Sequence, residues 1–399
     1  MKQDFFRANR ERLAEATKGG VVVVPAYSQM QRGNDAAFQF EQEANFWWLT
    51  GIDAPDWQVI IDGTRGKSWL VMPHVSSTHQ IFDGSLSSED AKKISGVDAV
   101  IDEDEALTIL RDLALKHSVV HAIGDSPYAE HFDFVLNPAP KKTWKMLERM
   151  FSDVQDCRRA LAKLRAIKQP AEIAAIKKAI KLTVKSFEDV KVLLPEFKTE
   201  YEVEAEFTYA FRRAGAAGHA YDPIVASGKS AVTLHYNSNN QKLKNNSLLL
   251  LDIGARVDGY AADITRTYAV GNPNAREVEV HAAVASAQKQ IIALLKPDLS
   301  IEEYEKAVEI IMRKALEGLG LLKKPEDYRR YFPHAISHGL GVDVHDSLGG
   351  PTKFLPGIVL TVEPGIYIPE EGIGVRIEDD ILITETGHIN LSAALPTSL

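Results

Sequence analysis

Two stretches of this chain set acidic residues inside what otherwise read as buried β-hairpins: LDIGARVDGYAADITRT (251–267) and VEPGIYIPEEGIGVRIED (362–379). In the first, Asp258-Gly259 is a strong two-residue turn signal. With the turn there, Asp263 faces Gly254. Asp252, two residues earlier, shares that face by the strand period of two, so Asp252 and Asp263 become diagonal neighbours. In the second, a turn centred on Glu370-Glu371 sets Glu363 directly opposite Glu378, an arrangement in which like charges destabilise a sheet. A bulge in either ladder would shift these registers. A single acid at a strand end is usually solvated, but two same-face pairs within apolar strands are costly unless positive charge neutralises them. Two divalent cations would cancel four carboxylates, and the expectation is a shell for two metal ions.

The remaining features bound the class. A chain of 399 residues is too long for one ordinary core and points to two domains. The boundary is expected near residue 160, giving domains 1–160 and 161–399. The formal net charge of −9, with no basic run, argues against nucleic acid as a partner. Cys157 is the single cysteine, so no internal disulfide is possible. That suits a reducing cytoplasm, the expected location. The opening MKQDFFRANRERLAEA is charged and lacks the apolar run of a secretory signal. No apolar stretch is long enough to cross a bilayer.

Along the first part, GGVVVVPA (19–26), WQVIID (57–62) and SWLVMP (68–73) read as strands. DEDEALTILRDLALKH (102–117) reads as an amphipathic helix with acids in its first turn. Residues 140–165 are rich in Lys and Arg and read as one connecting helix. After Pro170, a long helix carries Ile173, Ile176, Ile180 and Val184 on one face. Ser300 with Glu303 signals a capping box for a helix ending near 317. Residues 247–255, 358–368 and 374–384 read as strands of antiparallel hairpins.

These segments resemble the creatinase/aminopeptidase P/prolidase family, the pita-bread metallopeptidases. The resemblance covers roughly 165–399 and rests on ordered motifs: YDPIVASG (221–228), TLHYN (233–237), the first hairpin, HAISHGLGVDVHD (334–346), LTVEPGIY (360–367) and GVRIEDD (374–380). It implies an α/β N-terminal domain followed by an α+β pita-bread catalytic domain. By resemblance Asp252 chelates one metal, Asp263 and Glu378 bridge both, and His338 and Glu363 complete the second site. Mn²⁺ is the expected ion, with Co²⁺ and Zn²⁺ as rivals, since one imidazole among oxygens does not select a thiolate metal. The family chemistry is cleavage of the imide bond before proline by a metal-bridging hydroxide, with Glu363 taking the water proton. His345 would shuttle a proton to the leaving nitrogen or orient the substrate, and His235 and His334 would line the pocket. Tyr221 and Tyr367 match tyrosines behind the ligands, or are core aromatics. Arg376, on the metal face two residues before Glu378, would pair bidentately with a carboxylate, a ligand's or the substrate's.

Within the fold, the intact acid set argues against a metal-free creatinase-like amidinohydrolase and against a non-enzymatic peptide-binding relative. The long N-terminal part argues against a methionine aminopeptidase. GKS at 66–68 and 228–230 lacks the preceding glycine of a phosphate loop, and no GxSxG or HExxH occurs. The remaining choice is between an Xaa-Pro dipeptidase, which is the favoured expectation, and an Xaa-Pro aminopeptidase acting on longer peptides. FEQEANFWWLTG (40–51), which resembles a segment of aminopeptidase P, pulls toward the second. Phe46, Trp47 and Trp48 would pack in their own domain, or would serve a contact in the homodimer or homotetramer common in the family.

Overall fold

The computed structural model describes residues 1–124 and 135–399. The chain forms two compact units, Met1–Leu164 and Arg165–Leu399. Among the described residues no helix is long and apolar enough to cross a membrane.

The first unit is built on a mixed six-stranded sheet: β1 (Val21–Pro25), β2 (Gln58–Asp62), β3 (Lys67–Val71), β4 (Ala99–Ile101), β5 (Val119–Ala122) and β6 (Asp153–Asp156). The spatial order is β4-β3-β2-β1-β5-β6. The valine run of β1 shows no polar alternation because it is central and covered on both faces. Val21 and Val23 pack with Leu110, Leu113 and Leu147 of the helices Glu103–Ala114 and Ala139–Leu147. Val22 and Val24, pointing the other way, are equally buried. Asp102 starts the helix Glu103–Ala114 with a reciprocal capping box to Glu105.

The aromatic segment forms the helix Ala44–Thr50, capped by Glu43 through Phe46 N at 2.6 Å. Phe46 and Trp48 are fully buried in this unit, and Trp47 meets Phe6 edge-on at 5.8 Å. Gly51 ends the helix at φ 70°, and a Cβ there would lie 2.4 Å from the Phe6 ring. Residues 140–165 are not one helix. The helix Ala139–Leu147 is followed by β6 and then by the helix Arg158–Ala166. The sequence of β6, DVQD, hides the strand because it is a largely exposed edge whose pairing comes from β5, not from an apolar face of its own.

The second unit carries the hairpins on antiparallel ladders, backed by the helices Pro170–Leu193, Glu200–Arg213, Ala275–Leu294 and Ile301–Gly318. Its strands are β7 (Gly218–His219), β8 (Ile224–Ser227), β9 (Ser247–Ile253), β10 (Ala255–Val257), β11 (Tyr260–Ala261), β12 (Ile264–Val270), β13 (Val359–Val362), β14 (Gly365–Ile368), β15 (Ile373–Arg376), β16 (Asp379–Ile383) and β17 (His388–Asn390). On the helix Pro170–Leu193, Ile176, Ile180 and Val184 are buried and Ile173 half-buried. Ser300 caps Ile301–Gly318 by accepting from Glu303 N at 3.4 Å.

The observed registers are the ones turn chemistry dictates. Val257 pairs with Tyr260 across Asp258 and Gly259, whose φ values of 52° and 83° are those of a I′ turn. The same register continues into β9 and β12, with Asp252 opposite Thr265. In the second hairpin Ile368 pairs with Ile373, and beyond the break Val362 pairs with Asp379 in an unchanged register. The expected long strands are interrupted at three of the four acids: at Asp263, which faces Gly254, between β13 and β14 at Glu363, and between β15 and β16 at Glu378, while Asp252 lies within β9.

At Gly254 the two arms of the first hairpin close so tightly that a Cβ would lie 1.8 Å from Ala262 O. Gly254→Ala is therefore expected to destabilise the chain by about 1–3 kcal/mol through overpacking. Thermal unfolding of the full chain reads this, and an unchanged midpoint would contradict the packing argument.

Candidate metal centre

The site is assembled by backbone bonds that the broken ladders leave free. Glu363 and Glu378 stand opposite each other at the break, and neither amide bonds within the hairpin. Glu363 N donates to Ile336 O at 3.0 Å, and Glu378 N donates to Thr265 O at 3.0 Å. The first bond ties the hairpin to the loop bearing His338, which also receives Thr361 N on its carbonyl at 2.9 Å. The second ties it to β12, beside Asp263. Three segments distant in sequence thus converge on one face.

Their side chains meet there. Asp263, His338 and Glu378 offer donor atoms that all lie within 4.8 Å of one another. His338 Nε2 is 3.4 Å from both Asp263 Oδ2 and Glu363 Oε1. Asp252 joins through Tyr221, whose single phenolic proton serves Asp252 Oδ1 and Asp263 Oδ1, each at 2.6 Å. His338 Nδ1 lies 2.9 Å from the carbonyl of Gly339, which can only accept. Nδ1 therefore carries a hydrogen and Nε2 is aimed at the acids, the orientation of a metal-binding imidazole.

The electrostatics show what such a cluster lacks. Burial, then repulsion from Asp263, Glu363 and Asp252, pushes the Glu378 carboxyl well above the usual range. Burial likewise raises Asp263, and it lifts Glu363 to about 7. Burial alone would lower His338, but the bond to Asp263 and the charge of Glu363 bring it up to about 9. Arg376 and a protonated His338 do not balance four acids, and Asp263, Glu363 and Glu378 are held toward protonated forms whose protons divalent cations would displace. The donor set, oxygens with one imidazole, fits two such ions.

Arg376 is a fixed strut rather than a bidentate clamp. Its Nη2 donates to Asp252 Oδ2 at 2.6 Å, its Nε to Thr265 Oγ1 at 3.1 Å and its Nη1 to Tyr367 Oη at 2.8 Å. The expected bidentate pairing is thereby corrected: the three donors are shared among three partners. Tyr367 Oη lies 2.9 Å from His334 Nε2, while His334 Nδ1 lies 2.7 Å from Ala335 O. Both His334 nitrogens are engaged, and burial followed by the charge of Arg376 lowers its pKa to about 3. His334 and His338 lie in a loop, not on a helix. The His345 ring stands edge-on to His338 at 4.4 Å. His345 is exposed by area, yet crowding of its ring, then the charges of His338 and His235, lower its pKa. His235 is exposed at the rim. Cys157 is buried and pushed up to about 12, chiefly by burial, which removes it as a nucleophile.

Three residues of the site went unread in the sequence. Thr265 Oγ1 donates to Glu378 Oε2 at 2.6 Å, and Thr361 Oγ1 donates to Glu363 Oε1 at 3.1 Å. Each threonine stands two residues from an acid, Asp263 or Glu363, so strand periodicity could have found both. Asp380 receives Asp263 N on Oδ2 at 3.2 Å, while its buried Oδ1 has no hydrogen-bond partner among the described residues.

Comparison with known proteins agrees with this geometry. Residues 174–385 match metallopeptidase family M24, and residues 6–121 match the aminopeptidase P N-terminal domain. The chain is 33% identical to the Xaa-Pro aminopeptidase of Escherichia coli K12, over 99% of this chain and 95% of that protein. It is 32% identical to human Xaa-Pro aminopeptidase 3, over 95% and 79% respectively. Among solved structures, proline aminopeptidase P II from Yersinia pestis superimposes with a TM-score of 0.85 at 31% identity, covering 100% of this chain and 98% of that one. Aminopeptidase P from E. coli gives 0.86 at 30% identity, covering 100% and 96%. The second unit is thus a pita-bread domain and the first an aminopeptidase P-type N-terminal domain.

Metal affinity should depend on pH with a definite sign. Ligands bind as deprotonated groups, and Glu363 and His338 lose their protons near 7 and 9. Mn²⁺ affinity, measured by calorimetry, is therefore expected to be weakest below pH 7 and to rise through pH 9, by up to about tenfold per pH unit for each proton displaced. A flat profile across this window would contradict the assignment. Asp263→Asn and Glu378→Gln are expected to lower bound metal per chain, read by elemental analysis.

Proposed function

The chain belongs to metallopeptidase family M24, and from that premise we propose that it is an Xaa-Pro aminopeptidase, releasing the N-terminal residue of peptides whose second residue is proline. The observation that carries this reading is likeness along the whole chain to proteins of that name, in the N-terminal unit as well as the catalytic one. The comparisons favour this alternative over the dipeptidase expected from the motifs, because the five candidate ligands do not separate the two activities. The difference rests on what surrounds the peptide beyond proline.

In the proposed mechanism Asp252, Asp263, His338, Glu363 and Glu378 hold two divalent cations, with Mn²⁺ as the first choice. When bound, such a pair acidifies water to give a nucleophile near neutral pH and polarises the carbonyl before proline. The protein's own groups do the rest. Thr361 Oγ1 donates to Glu363 Oε1 at 3.1 Å and so fixes the carboxylate that would take the proton of the attacking water. A carboxylate beside the attacking water can accept its proton and pass it on. Tyr221 and Arg376 hold Asp252 from both of its oxygens. Arg376, Tyr367 and His334 form a chain that fixes the wall of the site, so His334 orients rather than shuttles. His345, beside the acids and open to solvent, orients the peptide and reaches the departing proline nitrogen. His235 contacts the peptide at the rim.

Hydrolysis of Ala-Pro-Ala and Ala-Pro with added Mn²⁺ tests the proposal. The tripeptide is expected to be the better substrate. Cleavage of the dipeptide alone would restore the dipeptidase reading, and cleavage of neither would leave a binding protein. Chelation should abolish turnover and Mn²⁺ should restore it. Glu363→Gln is expected to lower kcat by about 10²–10⁴-fold, the usual range for a lost acid–base group.

A further inference from the structure

One buried ion cluster beside the site takes no part in holding the acids. Asp346, the residue after His345, is nearly buried, and its Oδ1 lies 3.0 Å from Arg165 Nη2. Lys168 Nζ lies 3.1 Å from Oδ2, and the side chains of Arg165, Lys168 and Asp346 are 5%, 1% and 4% exposed. Lys168 Nζ also donates to Arg165 O at 2.5 Å, and Arg165 Nη2 reaches Asp343 Oδ2 at 2.8 Å on the same loop. Replacing such clusters by apolar groups is often neutral for stability or improves it, so stability alone is a weak account of this one.

Its position supplies another. Asp346 N donates to Gly339 O at 2.8 Å and closes the loop 339–346 at its base. His338 precedes that base and His345 sits at its other end, and the two rings touch. Leu340 N bonds to Val359 O and Ala261 N to Gly341 O, so the near arm of the loop is sewn to its surroundings by backbone. The far arm is held by charge as well as by the Asp346 N–Gly339 O bond at its base. Gly341 makes room for this: a Cβ there would lie 2.0 Å from Asp346 Oδ2 and 3.1 Å from Lys168 Cε.

We infer that Arg165 and Lys168, acting through Asp346, are positioning residues for His345, locking the far arm of the 339–346 loop so that the imidazole stands against His338 and faces the peptide. The inference rests on the proposed function in so far as His345 contacts substrate. The ion pairs of Arg165 and Lys168 go to Asp343 and Asp346, not to the candidate ligands. The two cations act at a distance of one residue, through the Asp346 carboxylate that both of them bind.

The test is a double-mutant cycle on the full chain loaded with Mn²⁺. Asp346→Asn is expected to lower kcat/KM for Ala-Pro-Ala on the order of 10²-fold, as for a reacting group displaced by about 1 Å. On a His345→Ala background it should add little, because the two changes act on one group. Bound Mn²⁺ per chain should stay at the parent level, since His338 is held by its own backbone bonds. Amide hydrogen exchange should rise across 339–346 and stay unchanged in β9 and β12. Losses that multiply independently, or exchange unchanged in the loop, would overturn the inference. If Asp346→Asn does not fold, Lys168→Met carries the same measurements. If the parent cleaves no Xaa-Pro peptide, the proposed function fails, and the exchange data alone still decide whether the cluster anchors the loop.

Discussion

Repulsion among buried carboxylates is the constraint around which the second unit is arranged. Asp263 and Glu378 are at most 4% exposed, and each is pushed toward its protonated form chiefly by burial. A regular hairpin would set Glu363 against Glu378 with no relief. The ladder instead opens at that pair and resumes in the same register on the far side. The amides released there bond to Ile336 and Thr265. The electrostatic problem and the convergence of three chain segments meet at one place: the break at the acids also supplies the bonds that bring in His338 and β12.

The site divides by how its parts are held. The acids stand on or beside strands, and hydroxyls, phenols and Arg376 fix their oxygens. The histidines stand on loops. His334 is locked by Tyr367 and a carbonyl, and His338 by Gly339 and Thr361. The candidate centre's carboxylates thus rest on the ladders, while its one imidazole and the other histidines stand on loops, the usual division between scaffold and functional loops.

Much of this was legible in the sequence, for local reasons. Asp258-Gly259 specifies a I′ turn, a I′ turn specifies a register, and the register specifies which residues share a face. The long helix after Pro170 followed from its apolar spacing in the same way. β6 was hidden because its four residues carry no apolar face of their own and pair with partners 34 positions away in sequence. The choice between dipeptide and longer peptide was hidden too, since the acids carry the same information for both.

The sequence by itself determined the two hairpins, their acids and the histidines that accompany them, because turn chemistry and strand period act over a few residues. Tertiary structure alone decided that the ladder parts at Glu363 and Glu378 and that Arg376 braces Asp252 across 124 positions. It also decided that Lys168 meets Asp346, and Arg165 meets Asp343, each across 178 positions. Those outcomes depend on which charges are buried together and which donors reach them. No local pattern encodes that, because the cost of a buried charge is set by everything folded around it.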